Sequence, residues 1–159
     1  MKTFRFFKTT MALLAVSAAC VLTSCDKDDD DMNNDKTYSI SGNASGSQET
    51  PSVATSATGT LTGSYNSRTN MLTYSISWSG LSGTVTIAHF HGPALVGVAA
   101  NPIHDISIST NGINGTASGS ITLADSTESH LLNGKLYYNL HTVMNPNGEI
   151  RGQVTASPN

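Results

Sequence analysis

Hydrophobic and polar residues alternate along most of the chain beyond residue 36, and glycine or asparagine marks the breaks between the alternating stretches. In residues 71–79, for example, apolar side chains occupy every second position, and Thr73, Ser75 and Ser77 lie between them. Alternation with a period of two predicts a β-strand that buries one face. The predicted strands lie at residues 38–41, 57–65, 71–79, 83–91, 103–109, 116–123, 135–142 and 149–155.

One stretch instead favours a helix. Asp125 is placed to cap its first turn, Glu128 to reach back toward that turn, and Gly134 to end the helix. About eight antiparallel strands with one short helix predict an all-β fold, in the form of an antiparallel β-sandwich or a flattened barrel.

The start of the chain has the pattern of an export signal. Residues 1–8 are basic, and the apolar run at residues 11–22 is too short to cross a bilayer, which takes about 20 residues. The run ends in Leu-Thr-Ser-Cys25, which resembles the bacterial lipobox. The resemblance implies a signal peptide at residues 1–24 and a Cys25 that carries diacylglycerol and palmitate. An ordinary secretory signal with an incidental cysteine is the alternative.

An acidic segment follows Cys25. Six of the eleven acidic residues of the chain fall in residues 26–35, without any apolar period, so residues 25–36 are predicted to form a flexible tether. The acidic run also looks like the surface-export signal of Bacteroidetes-type lipoproteins, with a plain spacer as the alternative. We therefore expect a protein anchored to a membrane through its N-terminal lipid. Its expected location is the bacterial outer membrane or cell surface, or the same membrane facing the periplasm.

The remainder, residues 37–159, is predicted to be one folded domain. It carries three basic and five acidic residues, so it is almost uncharged, and nucleic acid is not an expected partner. Both cysteines lie upstream of it, so it cannot form an internal disulfide.

Two histidines on one predicted strand are candidate metal ligands. His89 and His91 lie two residues apart and so share a face of the strand. Val85 and Ile87 extend that face, which predicts that it turns toward the core and that the histidines lie at its rim. With His141 as a third ligand, these imidazoles would suit copper or zinc. The alternative is that the rings hydrogen-bond backbone groups at a corner between strand and loop.

The last two predicted strands form a hairpin that gathers polar side chains on one side. A pairing of Glu149 with Arg151 or His141 would balance charges that a small sandwich could not bury alone. The set lacks an evident nucleophile or pocket, which favours a structural network over catalysis. The predicted network consists of Tyr137, Asn139, His141, Glu149 and Arg151. Glu49 lies in the earlier segment of residues 46–51, and the sequence does not indicate which residues surround it.

Three motifs in this order resemble the CHRD domain, a module that also occurs in the developmental protein chordin. They are the G-x-x-E-x-P element at residues 46–51, the A-H-x-H-G element at residues 88–92, and Y-x-N-x-H-T at residues 137–142 followed by P-x-G-E-I-R-G-Q at residues 146–153. The resemblance covers residues 37–155. It implies an Ig-like or related β-sandwich and no established catalytic activity.

A looser similarity links the chain to copper/zinc superoxide dismutase, an eight-stranded sandwich with an H-x-H strand. The dinuclear site of that enzyme needs more histidines than the five present here, so at most one mononuclear site could form. The leading expectation is a lipid-anchored CHRD-domain protein of the cell envelope that acts as a non-catalytic binding or structural module. Its protein or glycan partner is not indicated, and no cofactor is established. The alternative is a mononuclear transition-metal-binding or redox domain that uses the H-x-H strand and His141.

Overall fold

A computed structural model describes residues 35–159 of the chain. The predicted signal peptide, Cys25 and nearly all of the predicted tether lie outside the described residues. The described part contains ten strands, one α-helix and a 3-10 turn at Gly46–Gln48. The elements are β1 (Thr37–Ser45), β2 (Thr58–Asn66), β3 (Met71–Ser79), β4 (Val85–His91), β5 (Pro102–Asp105), β6 (Ile108–Thr110), β7 (Gly115–Thr122), α1 (Asp125–Leu132), β8 (Tyr137–Thr142), β9 (Ile150–Gln153) and β10 (Thr155–Pro158).

All strands pair antiparallel in one curled sheet, in the order β5-β4-β8-β9-β1-β2-β3-β7-β6, with β10 paired to β1. The prediction of an all-β antiparallel fold with one short helix is confirmed. The strand count is ten because two predicted strands are each divided. Residues 103–109 hold parts of β5 and β6, and residues 149–155 hold β9 and the start of β10.

The two edges of the sheet are joined by a very short link. β5 pairs with β4 at one edge, β6 pairs with β7 at the other, and only Ile106 and Ser107 separate β5 from β6. Because consecutive Cα atoms are 3.8 Å apart, the edges lie within about 11 Å of each other at this link. The Ile106 N–H donates to Ala88 O at 2.8 Å, and the Ile106 side chain is buried. The sheet therefore curls back on itself, as a flattened barrel does.

The core fills the inside of the curl. The alternation predicted for β2 and β3 holds, since Leu61 pairs with Ile76 and both side chains are buried. The outer face of the neighbouring strands is lined with hydroxyl groups instead of charges. Across it, Ser41 pairs with Thr62, Thr62 with Ser75 and Ser75 with Ser118.

Strand β4 departs from the predicted alternation. A register shift between Val85 and Ile87 leaves Val85 buried and Ile87 44 % exposed. Beyond the shift, Ala88 and Phe90 are the side chains in the core. The prediction that Val85 and Ile87 share one core-facing surface with the histidines is therefore wrong, because a β-bulge changes which positions face inward.

Helix α1 ends as predicted but begins differently. Ala124 is the N-cap residue and provides no side-chain hydrogen bond, so the predicted cap by Asp125 is wrong. Asp125 instead accepts a hydrogen bond from Asn70 Nδ2 at 3.1 Å. Gly134, with φ of +63°, follows the C-cap and ends the helix. Within residues 35–159, no helix has the length and apolar character needed to cross a membrane.

The closing link gives a direct stability test. We expect Ile106→Ala to lower the free energy of unfolding by about 2–5 kcal/mol, because it empties a buried position at the junction of the two edges. The matched variant Ile103→Ala, on the same segment but 42 % exposed, should cost less than about 1 kcal/mol. Chemical denaturation measures both. Equal costs would contradict the role assigned to the link.

Candidate metal centre

The outer face of β4, β8 and β9 carries a group of side chains that we call the polar layer. The pairing of the strands brings these side chains together. His89 pairs with Asn139 and His91 with Tyr137 across β4 and β8, and Asn139 pairs with Arg151 across β8 and β9. Side chains at paired positions of neighbouring strands lie side by side on one face. The polar layer consists of His89, His91, Tyr137, Asn139, His141 and Arg151.

Loops cover the polar layer and bury it, although it lies outside the apolar core. His91 is 6 % exposed and His141 is 8 % exposed. The loop after β4 supplies Ala100 O, which lies 2.9 Å from His91 Nδ1. The loop after β8 supplies Pro146 O, which lies 2.9 Å from His141 Nδ1.

These contacts determine where the protons of the two imidazoles lie. A carbonyl oxygen only accepts, so Nδ1 must be the protonated nitrogen in both His91 and His141. In a neutral ring the other nitrogen, Nε2, then carries a lone pair and no proton. Burial lowers the pKa of both imidazoles below their usual range, and the neighbouring His89 adds to this effect. The lowered pKa favours the neutral form of both rings, in which each Nε2 lone pair faces Asn139 Oδ1.

His89 completes the group, with one ring nitrogen facing Asp105 and the other buried. Its Nε2 lies 3.5 Å from Asp105 Oδ1, at the exposed side of the layer. Its Nδ1 is buried and has no hydrogen-bond partner among the described residues. A ring that keeps its proton on Nε2, the nitrogen facing Asp105, leaves the buried Nδ1 lone pair unused.

The unused nitrogen atoms converge. The candidate ligand atoms of His89, His91 and His141 all lie within 4.8 Å of one another. Asn139 Oδ1 lies between two of them, 2.9 Å from His91 Nε2 and 3.0 Å from His141 Nε2. In the neutral Nδ1–H tautomer of His91 and His141, both Nε2 lone pairs face the Asn139 oxygen, and His89 offers a third nitrogen within the same 4.8 Å. Such a group of lone pairs is stabilised by a cation.

An aromatic stack lies beside this group. The Tyr137 ring is stacked on His91, with centroids 4.6 Å apart and planes within 5°. Arg151 Cζ lies 3.5 Å from the centroid of the same Tyr137 ring. Arg151 is 1 % exposed, and its guanidinium donates to Leu95 O at 3.1 Å and to Gln153 Oε1 at 3.3 Å.

Glu149 does not join the polar layer. The predicted pairing with Arg151 or His141 does not occur, because Glu149 precedes the first residue of β9 and the alternation does not extend to it. Its carboxylate accepts hydrogen bonds from Ser82 N at 2.8 Å and Thr142 Oγ1 at 2.7 Å, and also from Ser82 Oγ and Thr55 Oγ1. Burial acts to raise the pKa of Glu149, but these donors outweigh it, and the pKa lies below its usual range.

Glu49 takes the place that the sequence suggested for Glu149. It is buried next to the Asn139 amide and the Arg151 guanidinium; burial raises its pKa, and both neighbours oppose that effect. At Gly148, where φ is +120°, an added Cβ would overlap both the Glu49 carboxyl and Asn139 Nδ2. The sequence offered one signal for this role, the position of Glu49 in the first of the three CHRD-like motifs.

Comparison with known proteins adds one match. The family model of the CHRD domain matches residues 40–154. No curated protein and no solved structure matches the chain. The three motifs that carry the resemblance meet at the polar layer in the folded domain, through Glu49 from the first, His89 and His91 from the second, and Asn139 and Arg151 from the third.

The buried carboxylate of Glu149 gives a pH-dependent test. We expect Glu149→Gln to lower the free energy of unfolding at neutral pH by about 2–4 kcal/mol, because an amide cannot accept all four hydrogen bonds. The folded-state pKa lies below the ordinary value of 4.5, so the stabilisation is present above pH 4.5 and is lost as the pH falls through the folded-state pKa. Denaturation curves at neutral and strongly acidic pH should therefore show a difference between wild type and variant that shrinks with acid. A pH-independent difference would contradict this account.

Proposed function

The chain belongs to the CHRD domain family, and from that premise we propose that its domain is a non-catalytic module that binds one transition-metal ion, copper or zinc, in the polar layer. The observation that carries the proposal is the grouping of one nitrogen from each of three histidines within 4.8 Å, two of them in contact with Asn139 Oδ1. Neutral imidazole is the ligating form of histidine and suits both metals.

The surroundings of the histidines fit a metal centre. Histidines that bind metals usually donate the other ring N–H to a backbone carbonyl or a carboxylate, which orients the ring. His91 and His141 have such partners in Ala100 O and Pro146 O, and the Asp105 carboxylate lies 3.5 Å from His89 Nε2.

The fourth donor supports binding rather than catalysis. A catalytic zinc site keeps one coordination position open for water or substrate, whereas a structural site fills all four with protein ligands. Asn139 Oδ1 lies 2.9 Å from His91 Nε2 and 3.0 Å from His141 Nε2, so it is available as a fourth donor. A centre closed in this way would hold an ion without presenting it to a substrate.

Metal titration tests the proposal. The purified full chain, stripped of metal by a chelator, should take up copper or zinc in equimolar amount, with micromolar or tighter affinity at neutral pH. His91→Ala and His141→Ala should each weaken binding by roughly 100-fold, because each removes one converging nitrogen. Calorimetry and elemental analysis give the affinity and the stoichiometry.

The chain provides its own controls. His104, exposed on β5, and His130, on α1, lie outside the cluster, so His104→Ala and His130→Ala should bind as the wild type does.

In the metal-free protein, long-range proton–nitrogen NMR spectra should show Nδ1–H tautomers for His91 and His141. No micromolar binding, or equal losses in the controls and the cluster variants, would reject the metal centre.

We further propose that the domain is held at the bacterial cell envelope by a lipid on Cys25. The support is the lipobox-like sequence that ends at Cys25 and the acidic segment after it. The chain from Cys25 to Thr37 can span about 40 Å when extended, so the domain would remain close to the membrane surface.

Lipidation at Cys25 has a matched control within the signal sequence. Cys25→Ala should abolish labelling with radioactive palmitate and release the protein from the membrane fraction, because one covalent site would supply the whole anchor. Cys20→Ala should leave labelling and fractionation unchanged. Retained labelling in Cys25→Ala would reject the anchor without bearing on the metal centre.

A further inference from the structure

We propose that a cavity at the α1 end of the barrel is a binding site for a small, uncharged and mostly apolar molecule with one hydrogen-bonding group. The cavity has a volume of about 190 Å³ and is lined by residues of β3, β4, β5, β7 and α1 and of the segments beside α1. It lies apart from the polar layer, because Phe90 faces the core and lines the cavity, whereas His89 and His91 on the same strand face outward. Its occupancy is therefore independent of the proposed metal centre.

The floor of the cavity is made of core side chains. Those that line it are Leu72, Phe90, Ile121, Leu123 and Leu136, and each is at most 9 % exposed. Packed cores contain few voids larger than a water molecule, so atoms along an empty apolar cavity lack neighbours on one side. An apolar cavity of about 150 Å³ with a similar lining stays dry and binds benzene. At about 190 Å³, the cavity here has room for one aromatic ring with a short substituent.

The mouth of the cavity is formed by β5 and by the start of α1. Ile103 and His104 line it from β5, and Ala124 and Thr127 line it from the N-terminal end of α1. Ile103 is 42 % exposed and Thr127 is half-buried, so an apolar side chain and a hydroxyl group meet an entering molecule. A hydrogen bond to Thr127 is better shielded from water than one to the exposed His104. Largely apolar cavities with a few polar groups are the usual form of small-molecule sites, and the mouths of β-barrels often hold them.

The charges near the mouth favour an uncharged ligand. Asp125 and Glu128 lie in the first turn of α1 and flank Thr127 in sequence, so they repel an anion. Among the described residues, no lysine or arginine lines the cavity to offset that repulsion. A cation would lose its hydration against the apolar floor, and none of the described lining residues carries a carboxylate to replace it. A neutral molecule avoids both costs.

Titration of the full chain with para-ethylphenol tests the site, because this molecule combines an aromatic ring, a short apolar substituent and one hydroxyl. NMR titration should show one saturable site, with a dissociation constant of roughly 0.1–1 mM for a ligand of this size. The signals of Phe90 and Leu136 should shift, and that of His141 should stay in place. The anion para-ethylbenzoate has a similar shape but should bind about tenfold more weakly, because acidic residues lie near the mouth.

Two variants change the mouth without emptying a buried position. Ala124 is exposed and lines the cavity, so Ala124→Phe places a ring across the mouth and should weaken binding about tenfold or more. As the matched control, Ser126→Phe adds the same ring to an exposed residue outside the cavity and should bind as the wild type does. Thr127→Val keeps the shape of the side chain but removes its hydroxyl. It should weaken binding of para-ethylphenol roughly 3- to 10-fold and leave binding of ethylbenzene, which has no hydroxyl, unchanged.

The outcomes distinguish the site from the chemistry of its ligand. Saturable binding of para-ethylphenol that Ala124→Phe weakens and Ser126→Phe does not weaken supports the site. No saturable binding of para-ethylphenol or ethylbenzene at millimolar concentration, or equal binding by Ala124→Phe and the wild type, overturns it. Para-ethylbenzoate that binds as tightly as para-ethylphenol overturns the choice of an uncharged ligand, and unchanged binding by Thr127→Val overturns the assigned hydrogen bond.

Discussion

The organisation of this domain depends on the need to provide partners for polar side chains that are buried outside the apolar core. Unpaired buried polar groups cost free energy, so the outer face of β4, β8 and β9 is stable only when loops supply acceptors to it. Ala100 O and Pro146 O meet the two Nδ1 groups, and Leu95 O meets the Arg151 guanidinium. The path of two loops, the burial of the layer and the tautomers of its imidazoles all follow from this requirement.

This constraint also links the two interpretations that the sequence left open for the histidines. The sequence analysis treated a hydrogen bond to the backbone and a bond to a metal as alternatives, because it considered each imidazole as a single unit. An imidazole has two nitrogens with different partners. In His91 and His141 the backbone bond occupies Nδ1 and directs Nε2 toward Asn139, so the bond is part of what would make the ring a ligand.

How far the sequence could predict the structure depends on how local each feature is. The alternation in β2 and β3 is a pattern among neighbouring residues, so the sequence predicted the bounds of both strands closely. The predicted strand at residues 103–109 is divided at Ile106 and Ser107 because the sheet closes there, and closure involves both edges of the sheet. The bulge after Val85 could not be predicted, because a period of two assumes a regular strand. His89 and His91 could be paired by spacing. The neighbours of Glu49 could not be predicted. Glu49 lies in the loop after β1, whereas its neighbours Asn139 and Arg151 lie on β8 and β9, much later in the chain.

The short link between β5 and β6 has a consequence for how copies of this domain meet one another. An open sheet edge offers unpaired N–H and C=O groups to which another chain can add a strand, and this is a common route to aggregation. Here the edge strands have only four and three residues, and the link between them brings the two edges together. Little backbone is left at these two edges as a template. Two copies of the domain that meet at these edges are therefore expected to separate again rather than to join their sheets.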